Sequence, residues 1–247
     1  DDSNITSVDL SSVQSIGEEG LREAFRGCTG ITSVDLSLLE SVGAHGMTNA
    51  FYGCKNLTSV SFPALVSIDE GGMVLAFGYC ESLSSADLSK VQTLAQSALQ
   101  SAFAQCRNLT SVDLSSLTTV GYSGLGNAFS SCTQLRHVDL SSVVSIADGN
   151  TNIFNGCTNL ESVDFSSLQS IDGTGLSLAS AFYNTQITSI SFPSLTTIGN
   201  YGLQNAFNGC TTLEEIHFKS NISGLVSTLQ GYNNKFGATN ATIYFDL

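Results

Sequence analysis

Ile5 to Gly30 reads ITSVDLSSVQSIGEEGLREAFRGCTG, and Ile31 to Asn56 reads ITSVDLSLLESVGAHGMTNAFYGCKN. The same unit restarts at Leu57, Leu83, Leu109, Leu135, Leu160 and Ile187, and a degraded copy starts at Leu213. The step is 26 residues except that the unit from Leu135 is one shorter and the unit from Leu160 one longer. Both changes fall between Ile146 and Phe154 or between Ile171 and Phe182, which predicts a loop there. A fixed period of this length is the mark of a solenoid, because one unit is too small to bury its own apolar edge while stacked units share a continuous core.

Within a unit the apolar positions are constant, in the first Ile5, Val8, Leu10, Val13, Ile16, Leu21, Ala24, Phe25 and Cys28. Val8, Asp9 and Leu10 alternate as a half-buried strand does. Leu21, Ala24, Phe25 and Cys28 follow three- and four-residue steps and predict a short helical segment. Each unit therefore reads as strand, turn and short helix. Nine strands about 4.8 Å apart would make a sheet roughly 40 Å long.

Cys28, Cys54, Cys80, Cys106, Cys132, Cys157 and Cys210 occupy one repeat position, three after each Phe, and Thr185 takes it in the unit from Leu160. Close CxxC pairs with His partners are missing, so zinc is not indicated. Stacked positions hold Cβ atoms about 5 Å apart, against the roughly 3.8 Å of a disulfide. The expectation is a buried ladder of unbridged thiols, with the Thr185 hydroxyl needing a backbone partner.

The run Ala24-Phe25-Arg26-Gly27-Cys28-Thr29-Gly30-Ile31-Thr32-Ser33-Val34-Asp35-Leu36 resembles the BspA-type leucine-rich repeats of bacterial surface proteins. Pro63 and Pro193 keep the Pro that commonly follows the strand in that family, and Ser mostly replaces it elsewhere. The resemblance implies an α/β solenoid, a right-handed leucine-rich-repeat superhelix with a parallel sheet on one face and short helical or irregular segments on the other. It covers residues 1–247 as a single repeat domain, closed from Leu213 by a degraded unit and a C-terminal cap ending in a strand at Ala241 to Phe245. It further implies an extracellular or cell-surface protein of a host-associated microbe, noncatalytic, serving binding or adhesion to a host or neighbouring-cell protein or glycan.

Composition narrows the partners. The 247 residues are 42% hydrophobic and 12% charged, and 21 acids against 8 bases leave a net charge of −13. Such a chain has the apolar content for a sizeable core. It repels nucleic acid and anionic membrane surfaces. No run approaches a membrane span, and Asp1-Asp2-Ser3-Asn4 lacks the features of a signal peptide, so any export signal would lie outside this chain. Nothing resembling a cap precedes Ile5, so the first strand is expected to be a bare edge, paired with something or severed from a longer protein.

Two surfaces are candidates for binding. One strand column holds Asp9, Asp35, Asp87, Asp113, Asp139 and Asp164, with Ser61, Ser191 and His217 at the remaining places; His137 interrupts the Ser column beside it. Neighbouring carboxylates 5 Å apart repel by about 0.8 kcal/mol even in water. Either the Asp side chains keep the sheet soluble and accept hydrogen bonds from the flanking Ser hydroxyls, or they bind a cationic peptide, glycan hydroxyls or Ca²⁺. The second surface is the variable edge after each Ile-Gly, for example Glu18-Glu19, Ala44-His45 and Tyr122-Ser123, with Tyr52, Tyr79, Tyr122 and Tyr201 on or near it. Tyrosine suits recognition because it joins apolar area to a hydroxyl. Unconstrained drift of exposed loops explains the same variation.

Signals for catalysis are poor. His45, His137 and His217 sit at different repeat positions in distant units, serine is too abundant for spacing to select a triad, and buried thiols are poor nucleophiles. No cofactor or metal is indicated. Sequons such as Asn4-Ile5-Thr6 and Asn56-Leu57-Thr58 arise from the repeat itself. The alternatives to a binding module are a structural spacer without a ligand, favoured by the uniform columns, and ice binding, which the Asp column and a curved sheet oppose.

Overall fold

The computed structural model describes residues 5–172, 175–229 and 232–247. The chain winds as a parallel-strand solenoid of about nine turns with little helix. One side is the ladder read from the sequence, joining strands Val60–Ser61, Ser85–Asp87 and Ser111–Asp113, then His137–Asp139 with Ser162–Asp164, then Ser189–Phe192 with Glu215–Phe218 and Thr242–Phe245; the strand expected at Val8 to Leu10 does not form, and the second unit contributes only an isolated bridge from Ser33 to Ser59. All pairings are parallel and in repeat register: Asp87 faces Asp113, Asp139 faces Asp164, and Ser191 faces His217.

A second parallel ladder, not anticipated, runs through the Ser-Ile positions. It pairs Ser15–Ile16 with Ser41–Val42 and Ser67–Ile68, and Thr93–Leu94 onward to Thr197–Ile198. Two residues per strand are too few to show alternation, yet Ile16, Val42, Ile68 and Leu94 point inward and are buried.

The third side departs from the sequence reading. Residues equivalent to Leu21 through Cys28 form successive turns, not helices, and the one described α-helix is Ser223–Val226 near the C-terminus. Alternate N–H groups bond within the coil and between coils. Gly20, Arg22, Ala24 and Cys28 donate to carbonyls three residues back, whereas Leu21, Glu23, Phe25 and Gly27 donate to Gly46, Thr48, Ala50 and Tyr52 of the next coil. An α-helix would consume all these groups internally. Positive φ recurs every four residues, at Glu19, Glu23 and Gly27, so the turn has the four-residue apolar step of a helix without its hydrogen bonds.

The interior is a set of stacked side-chain columns. Phe25, Phe51, Phe77, Phe103, Phe129, Phe154, Phe182 and Phe207 stack in sequence with ring centroids 5.1 to 5.8 Å apart. Phe165, Phe192, Phe218 and Phe245 form a second stack under the last strands. All seven cysteines are buried and none is in a disulfide. The Sγ–H of Cys54, Cys80, Cys106, Cys132 and Cys157 donates to the carbonyl of Phe25, Phe51, Phe77, Phe103 and Phe129 respectively, at 3.0 to 3.2 Å. Each thiol thus ties its coil to the one before. At the defect in the ladder the Thr185 hydroxyl donates to Phe182 O at 2.9 Å, which provides the backbone partner a buried hydroxyl requires.

The shortened coil is repaired by a side chain. In regular coils Leu21, Met47, Met73 and Leu99 N–H donate to Gly46, Gly72, Ala98 and Gly124 O. At the same level of the shortened coil Leu125 N–H donates instead to Asn150 Oδ1 at 2.7 Å. The Asn150 amide donates in turn to Gly121 O at 3.0 Å and Ala147 O at 2.8 Å, and the residue is fully buried. One amide therefore stands in for the deleted peptide.

Candidate functional site

The strand face carries a shallow groove of about 550 Å³ lined by Ser59, Ser61, Ser85, Asp87, Asp113 and Asp139 among others. Of the six aspartates of the column, Asp87 with Asp113 and Asp139 with Asp164 are paired in register, but all six carboxylates do local work first. Oδ1 of Asp9, Asp35, Asp87, Asp113, Asp139 and Asp164 accepts the backbone N–H of Ser11, Ser37, Ser89, Ser115, Ser141 and Ser166, at 2.8 to 3.1 Å. This is an Asx turn that closes the strand. The donor is thus chiefly a backbone amide, where the sequence reading had named flanking Ser hydroxyls; the Ser11 hydroxyl adds a bond to Asp9.

The exceptions identify the cause. Ser61 and Ser191 replace Asp, and two residues on stand Pro63 and Pro193, which have no N–H to donate. The Asp and Ser of this column therefore track the presence of a donor. Hydrogen bonds from Ser11, its hydroxyl before its N–H, hold the Asp9 carboxyl below its ordinary range, and Ser37 does the same for Asp35. Asp87→Ala is expected to lower stability by about 1 kcal/mol, while Asp87→Asn, which keeps the acceptor oxygen, leaves it nearly unchanged. Urea midpoints of the two variants test the assignment, and equal losses would contradict it.

Both strand-face histidines are paired. His137 Nδ1 lies 2.8 Å from Ser162 Oγ, and its Nε2 lies 3.7 Å from Glu161, whose carboxylate also pairs with Arg136. His137 is exposed, and the pair sits on the open sheet. His217 stacks on Tyr244 with centroids 4.7 Å apart, its Nδ1 3.0 Å from Asp246 and its Nε2 3.2 Å from Glu215. The hydrogen bond to Asp246, reinforced by Glu215 against partial burial, holds this imidazole above its ordinary pKa. The sequence placed His217 in the column but gave no sign of its clamp to the final strand.

The tyrosines of the variable edge do not form one surface. Tyr52 and Tyr79 are adjacent, ring centroids 5.3 Å apart, with the Arg26 guanidinium 5.1 Å over Tyr52. Tyr122 stands apart, exposed at 56%, and Tyr201 is half-buried. Much of the variable edge coincides with the left-handed turn positions, which include His45, Asn49, Ser97, Ser101, Ser123, Asn127 and Asn205. Asn, Asp, His and Gly tolerate that region better than most residues. Part of the variety is therefore backbone tolerance.

A notch of about 500 Å³ opens on this edge where the short and long coils meet. Gln100, Tyr122, Asn127, Asp148, Thr151 and Leu176 line it. Asp148 Oδ1 accepts the hydroxyl of buried Ser177 at 3.0 Å. Among the described residues no group of three or more His, Cys, Asp or Glu side chains is spaced to hold a metal ion, and no helix is long and apolar enough to cross a membrane. The sequon residue Asn4 lies outside the described residues.

Residues 1–123, 75–201 and 178–229 match the family model described as BspA type leucine rich repeat region, in six copies. No curated protein matches the sequence. Among solved structures, the crystal structure of a TLR13-ssRNA13 complex is similar at 13% identity and a TM-score of 0.24, over 85% of this chain and 38% of that one.

Proposed function

The chain belongs to the BspA-type leucine-rich-repeat family, a repeat scaffold, and from that premise we propose that it is a noncatalytic binding module of a cell-surface or secreted microbial protein, contacting a host or neighbouring-cell protein or glycan. We take the coils to wind with the right hand that parallel crossovers favour. The observation that carries the reading is the strand-face groove: acids and serines line it beside Val60, Ala86 and Val112, no base does, and the chain bears −13 overall. A surface of that kind favours a partner segment rich in Lys or Arg. The Asx turns consume one carboxylate oxygen each, so charge is displayed on positions whose geometry is already set.

The test is binding of the chain to host matrix proteins and to Lys/Arg-rich peptides, compared with an Asp113→Asn, Asp139→Asn variant. Asn preserves the turn acceptor, so only charge is removed. Saturable binding that weakens at least several-fold in the variant and with added salt is expected. Binding indifferent to both would remove the groove from the function.

The second reading, a structural spacer without a ligand, is favoured by one observation. The column's Asp residues are explained by strand closure alone, without any partner. A folded chain that binds nothing in this screen or on a glycan array would select it.

A further inference from the structure

We propose that the notch bounded by Tyr122, Asp148 and Leu176 is a binding site for an uncharged saccharide. It is a surface separate from the strand-face groove, and it rests on the reading of the chain as a binding module. The solenoid is otherwise periodic, and this is where the period breaks. The coil from Leu135 has lost one residue, Asn150 fills the hydrogen-bond gap from inside, and Ser177 of the lengthened coil anchors Asp148 at the rim. A non-repeating recess is thereby built from four coils.

Its chemistry is selective. Tyr122 is exposed at 56%, and its ring rests on Gly149: a Cβ there would lie 3.3 Å from Tyr122 Cζ and 2.4 Å from Ser123 Oγ. Gly149 also has φ +81°, so glycine both permits the backbone and leaves room for the ring. The Gln100 and Asn127 side chains, each able to donate and accept, have no hydrogen-bond partner among the described residues. One carboxylate, Asp148, stands among them.

No Lys, Arg or His lines the recess, which disfavours an anion, and a single carboxylate is too few ligands for a hard cation. An apolar peptide anchor needs a desolvated pocket, and here the apolar area is one ring and the exposed Leu176. What fits is a neutral ligand with one apolar face for the tyrosine ring and several hydroxyls for a carboxylate and two amides. A sugar ring has that distribution.

The experiment is saturation-transfer NMR and titration of the full chain with neutral mono- and disaccharides of glucose, galactose, mannose and N-acetylglucosamine. The variants are Tyr122→Ala, Asp148→Asn and, as a strand-face control, Asp113→Asn with Asp139→Asn. Circular dichroism and melting establish that each is folded. The expected result is saturable binding of at least one sugar, weakened about tenfold by Tyr122→Ala and by Asp148→Asn and unchanged in the control. No binding across the panel, or binding that survives both notch substitutions, overturns the proposal. Loss in the control alone would return recognition to the groove and also overturn the notch. Peptide binding at the groove, with no sugar bound, would leave the binding-module reading standing and sink only the saccharide site.

Discussion

Raising the pH above about 9 is expected to destabilise this protein steeply, by about 3 kcal/mol per pH unit from two of its buried thiols alone. Burial pushes Cys54, Cys106 and Cys157 up to about 12, opposed only in part by the hydrogen bonds along the ladder. Cys80 and Cys132 lie well above the ordinary thiol value for the same reason, with neighbouring thiols in the column adding to the effect. In the unfolded chain these thiols titrate at about 8.5. The native state therefore holds protons that the unfolded state releases, so the contribution is complete below the unfolded pKa and is lost as pH rises toward the folded one. Each fully buried thiol costs about 1.4 kcal/mol per unit over that window, and Cys106 with Cys157 supply the minimum slope given above. With the rest of the column the loss over two units reaches the whole stability of an ordinary domain.

Urea unfolding followed by circular dichroism at pH 8, 9 and 10 reads the slope directly. A Cys106→Ala, Cys157→Ala variant should be somewhat less stable at pH 7 yet flatter toward alkali by about two protons. A thiol reagent at pH 8 should label nothing in the core until denaturant is added. Stability that does not fall between pH 8 and 10, or a variant with the parent's slope, would contradict the buried ladder.

The cysteine column illustrates what was legible in the sequence. Residues at one position of a stacked repeat inherit one environment, so burial of seven thiols and the register of Asp87 with Asp113 follow from the period. The turn side was misread because Leu21 and Phe25 are four apart in a helix and in four-residue turns alike. Only the destination of the N–H groups separates the two, and apolar spacing carries no record of it. The Asx turns were legible and unread: Asp pairs with Ser two residues on, and Ser with Pro. The notch lay beyond reach. Its place was marked by the two length changes, but its lining comes from coils up to about three repeats apart, and four tyrosines on or near the variable edge suggested a continuous surface that the coil path divides.

Replacing Asn150 by leucine is expected to cost about 3 to 5 kcal/mol, despite similar side-chain size. The leucine would leave Leu125 N–H without its acceptor and Ala147 O without a donor, in a position with no access to water, while Gly121 O would keep only the Gly124 N–H. Each orphaned buried group costs about 1 to 3 kcal/mol, and partial relaxation keeps the total below the simple sum. Asn150→Asp would fare little better, because it retains the acceptor, loses the donors and buries a charge. The control is a compensating insertion: Asn150→Gly with one residue added beside it restores the 26-residue unit, and a main-chain carbonyl can then meet Leu125 N–H as Gly124 O meets Leu99 N–H. That variant should recover most of the loss. Stability in a repeat array is a sum over coils and their interfaces, so the damage should be local. Amide exchange at Leu125 should accelerate in Asn150→Leu, while exchange at Leu99 in the regular coils stays slow. An unchanged Leu125 amide, or a loss under about 1 kcal/mol, would mean that the side chain is not the surrogate peptide. Because Gly149 lies on the repaired turn and Tyr122 of the preceding coil rests against it, the leucine variant should also abolish sugar binding at the notch, and the insertion, which restores the regular turn, should restore stability without restoring binding.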